Sequence, residues 1–298
     1  MTYPFVNAKI IADSQHPLFE RRLTTIQVTY PRFIHSEMLT HRVLSRNAQS
    51  SRAVPVKKMI QEVRTNPVVP LEFGSNQPGM QAGPALSGYQ LEAAQSEWKQ
   101  AASYAAQQAE YLNNRGVHKQ VVNRLLEPFV TISSIITATC WDNFFKLRIH
   151  EAAQPEIRAA AEAMKAVMDA SEAKPLKMGE WHLPYVSSEL VDEIGPRSAA
   201  MVSAARCARV SYKNHDGTNC DVEKDMALAK RLMDEGHWSP FEHQATPVDK
   251  LGLVDNFDSF QQNRRWLRQD AIDRGWEENR APSKFTVYKD PYLKNPGY

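Results

Sequence analysis

Between Leu23 and Tyr30 the chain reads LTTIQVTY, and Ile26, Val28 and Tyr30 alternate with Thr25, Gln27 and Thr29. A period of two puts the apolar set on one face and the polar set on the other, which predicts a half-buried strand. Pro31 ends the strand and pre-sets a helix predicted over Phe33 to about Ser45, with Ile34 and Met38 pointing inward. Glu37 and His41, four apart, would share one face of that helix. The Gly, Pro and Gln residues between Gly74 and Ser87 predict an exposed loop. Ser87 and Gln90 then make a capping-box pattern before a long alanine-rich helix ending near Gly116. Its inward stripe is read as Trp98, Ala101, Ala105, Ala109 and Leu112.

The pattern goes on to predict a helix over His118 to Leu126 and a β-branched strand over Phe129 to Thr139. Further helices are read over Pro155 to about Ala170, Met201 to Val210, and Val222 to Glu235, the last stopped by Gly236. Lys284 to Lys289 predicts a last short strand. Helices and strands alternate loosely with long connections, so the fold class is α+β. We read residues 1–298 as one domain, with a first part over 1–170 and a second segment over 197–298.

Composition narrows the function classes. The 298 residues are 42% hydrophobic and 23% charged, as in ordinary globular proteins. A formal net charge of +2 argues against a partner that is a nucleic-acid polymer. No apolar run reaches the ~18 residues of a membrane span, and MTYPFVNAKIIADSQ lacks a signal-peptide layout. Cys140, Cys207 and Cys220 cannot all pair, which fits a reduced, cytoplasmic setting.

Against that nearly neutral background, Met38 to Pro55 carries His41, Arg42, Arg46 and Arg52 beside Ser45, Ser50 and Ser51, with no acidic residue. Guanidinium forks and hydroxyls together satisfy phosphate oxygens, so the segment predicts an anion site, against the plainer reading of a surface loop with capping serines. No Gly-rich phosphate loop is present to do the same work. His35/His41 and His237/His243 are each six apart, which is poor zinc spacing. None of the cysteines is expected to be a nucleophile. Cys140, beside Trp141, is read as packed, and Cys207 would be activated only if Arg206 and Arg209 faced it. HWSPFEH, residues 237–243, mixes histidines, an acid and aromatics in a way unusual for a plain loop, although a helix stop with a capping box explains it locally.

Several of these motifs together resemble flavin-dependent thymidylate synthases. Thr40-His41-Arg42, seven residues, then Ser50-Ser51-Arg52 is similar to the family's Arg-His-Arg…Ser motif. NRLLEP (Asn123 to Pro128), TATCWDNFFKLR (Thr137 to Arg148) with AAQPEI after it, and CARVSY with EGHWSPFEH resemble further family segments. Thr40 and Ala48 depart from the family's arginine and acidic residue, and the Ser-Pro-Phe-Glu-His block follows the His-Arg block, so the motif order looks circularly permuted. The resemblance implies a mixed, largely antiparallel sheet with long helices and sites between subunits of a homotetramer. It implies FAD held by Thr40, His41, Arg42, Asn143 and Ser239. It places the nucleotide on Glu37, Gln49, Ser50, Ser51, Arg52, Arg124 and Arg148, with Arg148 the catalytic arginine. The implied reaction methylates dUMP to dTMP with methylene-tetrahydrofolate and NADPH as co-substrates. The two departures leave open a different pyrimidine nucleotide, a hydroxymethyl product, or flavin and nucleotide binding without turnover. The tail NFDSFQQNRRWLRQ has no family counterpart and reads as an amphipathic helix.

Overall fold

A computed structural model describes residues 3–210 and 221–273, with side chains through 268. Its strands are β1 (Asn7–Gln15), β2 (Arg22–Pro31), β3 (Ser45–Ala48), β4 (Thr131–Ala138) and β5 (Lys174–Pro175), followed by four short ones. Those are β6 (Ala245–Pro247), β7 (Leu253–Val254), β8 (Phe257–Asp258) and β9 (Phe260–Gln262). The helices are α1 (His35–Leu39), α2 (Val56–Thr65), α3 (Gly88–Asn114), α4 (Lys119–Val122) and α5 (Asp142–Arg148). They continue as α6 (Pro155–Asp169), α7 (Ser188–Ile194), α8 (Pro196–Arg209), α9 (Val222–Asp234) and α10 (Asn263–Asp273). One sheet of order β3-β4-β2-β1-β5, antiparallel except at β1–β5, makes the fold α+β. Among the described residues no helix is long and apolar enough to cross a membrane.

On one face of the sheet Ile26, Val28, Tyr30, Ile132 and Ile136 pack against Ile157, Ala160, Ala161 and Met164 of α6. The other face of β2 is not open to water as alternation alone suggested. Thr25 is fully buried, and Gln27 accepts a hydrogen bond from Tyr185 Oη (2.7 Å). The second half of the chain supplies that cover, with Tyr185, Cys207 and Val210 packed on Ile135 of β4.

The helix expected over residues 33–45 is cut short. A 3-10 turn (Arg32–Ile34) leads into α1, which ends at Leu39, and Ser45–Ala48 instead extends the sheet as β3 beside β4. Two side chains stop it: Thr40 Oγ1 donates to the Glu37 carbonyl (2.7 Å), and Arg46 donates to the carbonyls of Leu39, His41 and Leu44. Glu37 and His41 therefore do not share a helical face.

Around α3 the expectations are also adjusted. Ser87 occupies the N-cap with no side-chain bond, so no capping box forms. Of the expected stripe, Ala109 is buried and Trp98, Ala105 and Leu112 pack against the same buried cluster, Trp98 also donating to the Val68 carbonyl (2.8 Å), whereas Ala101 is exposed and Ala102 and Ala106 are buried. This face meets Val56, Met59, Ile60 and Val63 of α2, a helix not among the predicted elements. The helix expected over 118–126 divides into α4 and a 3-10 turn, Asn123–Phe129, because Pro128 cannot donate to a longer helix. The tail is part strand and part helix, with β8 and β9 before α10. The strand expected over 284–289 lies outside the described residues, as do Cys220 and the Ser211-Tyr212 end of CARVSY. Cys140 is exposed, contrary to the packed reading, because it lies beyond the end of β4, while Trp141 turns inward.

Candidate functional site

Arg148, the last residue of α5, reaches back to the turn after α1. Its Nε donates to His41 Nε2 (2.8 Å) and its Nη2 to Thr40 Oγ1 (3.1 Å), whereas its contact with the Glu37 carbonyl is long at 3.5 Å. Arginine can only donate, so Nε2 of His41 must be the acceptor and its proton sits on Nδ1. His41 is buried against the edge of Phe144, ring centroids 4.9 Å apart. Burial holds its pKa below the ordinary histidine value, and the Arg148 and Arg46 cations push the same way. Burial raises the Glu37 carboxyl, with Arg148 opposing.

A second cluster forms at the turn after β3. Ser50 caps a 3-10 turn, Ser51–Ala53, by accepting from the Arg52 N–H. Ser51 is buried, and its Oγ donates to Glu127 Oε1 (2.6 Å). Arg124 Nη1 (2.8 Å) and Arg32 Nη2 (3.0 Å) converge on the same oxygen. Asn123 Nδ2 holds the turn by donating to the carbonyls of Ser51 and Val54. The acidic partner missing from residues 38–55 therefore arrives from a distant segment. Glu127, Arg32 and Asn123 were not among the predicted site residues, although Glu127 stands three after Arg124 in NRLLEP, a spacing that pairs them on one turn. His35 lies between the clusters: Tyr30 Oη bonds its Nδ1 (2.9 Å), and burial, Arg32 and Arg46 lower its pKa.

The Ser-Pro-Phe-Glu-His segment comes to the same sheet edge despite its place in the chain. Ser239–Glu242 forms a 3-10 turn beside β3, and Phe241 is buried among Ala204, Ala205 and Ala229. Glu242 pairs with Arg264. His237 is exposed, whereas His243 is buried, with its Nδ1 on Thr137 Oγ1 of β4 (2.8 Å). Cys207 is buried and inert, its thiol pushed upward by burial, because Arg206 and Arg209 both turn to Asp225.

The structure thus brings Glu37, Thr40, His41 and Arg148 into one cluster and Ser51 with Arg124 into another. Arg42, Gln49, Arg52, Asn143 and Ser239 are exposed, and among the described residues their side chains make no hydrogen bond or ion pair. The unengaged donors of Arg42, Asn143 and Ser239 suit an anionic cofactor rich in acceptors such as a flavin dinucleotide, since no carboxylate of the described residues competes for Arg42. The Thr40 hydroxyl, by contrast, is already taken by the Glu37 carbonyl and Arg148.

The geometry sets arginines and hydroxyls together at the edge of an antiparallel sheet, with a neutral histidine bonded to an arginine. The family model described as thymidylate synthase complementing protein matches residues 6–171, more than half of the chain, and the chain belongs to that family. The match ends before the Ser-Pro-Phe-Glu-His segment. No curated protein is similar enough in sequence to match. Two solved structures of a UMP/dUMP methylase, PolB from Streptomyces cacaoi, are similar to the chain at 16% identity. The one bound with 5-Br UMP has a TM-score of 0.45 and covers 57% of this chain and 90% of that one. The one bound with 5-Br dUMP has a TM-score of 0.46 and covers 57% and 91%.

Proposed function

We propose that the protein is a flavin-dependent thymidylate synthase. It would methylate C5 of dUMP, taking the carbon from methylene-tetrahydrofolate and the electrons from NADPH, at sites between subunits of a homotetramer. Family membership supports methylation of a pyrimidine nucleotide. The observation that carries the reading is the Arg148 Nε to His41 Nε2 bond, which joins two motifs 107 residues apart. With Nε and Nη2 engaged, Arg148 Nη1 has no partner among the described residues and is free to meet the uracil edge. A guanidinium there favours the base ionised at N3, which makes C5 electron-rich without a cysteine adduct. Thr40, His41, Arg42, Asn143 and Ser239 hold the FAD, which supplies hydride when bound. Ser50, Ser51, Arg52 and Arg124 take the nucleotide phosphate, and Glu37 and Gln49 flank it.

The test is the absorption spectrum of the purified protein together with the mass of the product formed from dUMP with all co-substrates. An oxidised-flavin spectrum and dTMP are expected, whereas folded protein that takes up no FAD would sink the reading. A second reading, another pyrimidine nucleotide or a hydroxymethyl product, is favoured by Thr40, whose hydroxyl meets Arg148 where the family has an arginine. The product mass separates the two.

Two substitutions probe the roles. Arg52→Ala should weaken dUMP binding by roughly 1.5–3 kcal/mol, the range of a charge-assisted bond, and leave FAD binding unchanged. Titration of both ligands checks it, and equal losses would reject Arg52 as a phosphate ligand. Arg148→Lys keeps the charge but loses the fork that spans His41 and Thr40. Turnover should fall on the order of 100-fold, as when one preorganised donor is lost, with FAD binding retained. A lysine variant that oxidises reduced flavin at the wild-type rate in single turnover would remove Arg148 from the mechanism.

A further inference from the structure

Glu127 is acidic in the middle of the cluster just assigned to a phosphate. Its Oε1 alone receives Ser51 Oγ at 2.6 Å, Arg124 Nη1 at 2.8 Å and Arg32 Nη2 at 3.0 Å. Three donors meeting on one oxygen is the arrangement that a phosphate oxygen also seeks, and here the chain fills it with its own carboxylate. The surroundings are built for the purpose. Ser51 and Asn123 are buried, and Asn123 clamps the Ser51 turn through two carbonyls. Arg32 is fixed at the end of β2 by its own N–H on the Val130 carbonyl. Arg124 is the outermost member, its side chain 54% exposed, and Arg52 stands exposed within the turn.

We propose that Glu127 is a specificity-determining residue, an internal stand-in anion that a nucleotide phosphate must displace from Ser51 and Arg124 in order to bind. The inference rests on the preceding reading for the identity of the ligand, though not for the presence of the anion site. A phosphate monoester carries more charge than one carboxylate and offers three terminal oxygens, so it can win the competition. An uncharged nucleoside gains nothing from displacing Glu127. The residue therefore sets a threshold: it lowers the affinity for phosphorylated ligands and leaves that for nucleosides alone. The opposite role, a brace that holds Ser51 and Arg124 ready for phosphate, predicts the reverse sign.

The experiment is calorimetric titration of the full chain and its Glu127→Gln variant with dUMP, deoxyuridine and inorganic pyrophosphate. Glutamine keeps the shape and an acceptor but removes the charge. The expected result is about tenfold tighter binding of dUMP and pyrophosphate, a shift of about 1.4 kcal/mol, with deoxyuridine unchanged. Unchanged dUMP and pyrophosphate binding in a folded variant overturns the proposal, and weaker binding overturns it in favour of the brace. If Glu127→Gln does not fold, Glu127→Leu is titrated under the same criterion. If neither protein binds dUMP or deoxyuridine, the assigned substrate fails while pyrophosphate still decides this point: tighter binding in the variant upholds it, and equal binding overturns it.

Discussion

Asp225→Ala is expected to lower the stability of the fold by about 3–5 kcal/mol, the cost of leaving buried charge without its counter-charge. Asp225 is fully buried in the first turn of α9, where the helix dipole favours an acid. One oxygen accepts Arg206 Nε of α8 (2.8 Å) and the other pairs with Arg209. Arg206 also donates to the Tyr185 carbonyl (2.8 Å), so the triad ties α8, α9 and the strap over the sheet into one unit. Truncation would leave two guanidiniums in the interior without their shared carboxylate. The effect should reach the site, because the Ser239–Glu242 turn packs on α8 through Phe241. Denaturant unfolding of wild type, Asp225→Ala and Asp225→Asn measures it, the asparagine keeping the volume and removing only the charge. A loss below 1 kcal/mol in both variants would show that the triad is dispensable.

That triad illustrates which parts of the molecule can be read from residues in order. β2, β4 and α6 form as expected, β4 from its β-branched content, while in β2 and α6 the apolar period also marks the face that meets the core. β1 does not, because the adjacent pair Ile10-Ile11 blurs its alternation and most of its residues are half-buried. β3 reads locally as the end of a helix. Only the open edge of β4 and the Arg46 guanidinium, which takes the carbonyls a helix would have used, make it a strand. At the site the motif residues Thr40, His41 and Arg148 could be found by resemblance and meet in space. Asp225 could not, since its partners lie on another helix, and Glu127 only in part, since its spacing from Arg124 is legible whereas Ser51 and Arg32 are far away in sequence. Charge pairing across long separations leaves no local period to detect. The same holds for His243, which resembles a motif residue but serves as an anchor of the sheet.

Acid should destabilise the protein steeply below about pH 6.5, the ordinary histidine pKa, and two histidines carry most of that effect. Ser14 Oγ, His182, Thr25 Oγ1, Thr137 Oγ1 and His243 form one buried chain of hydrogen bonds, each link 2.7–2.8 Å. Burial holds both imidazoles neutral, with pKa values lowered to about 3; His182 adds to the lowering at His243, and Asp13 opposes it at His182. For a histidine whose folded pKa lies below its unfolded one, stability is fully present above the unfolded value. As pH falls the unfolded chain takes up protons that the folded chain refuses, so stability is lost from about 6.5 down towards 3. Two such protons give a slope of about 2.7 kcal/mol per pH unit, and a loss on the order of 5 kcal/mol between about pH 6 and 4. Burial lowers His16, His35 and His41 as well, in the same direction. Glu62 and Glu242, raised by burial, act oppositely at the acid end. Denaturant unfolding at a series of pH values should show the slope, and His243→Gln, which cannot take up a proton, should remove about half of it. A wild-type profile that stays flat between about pH 6 and 4 would mean that these histidines are not held neutral in the fold.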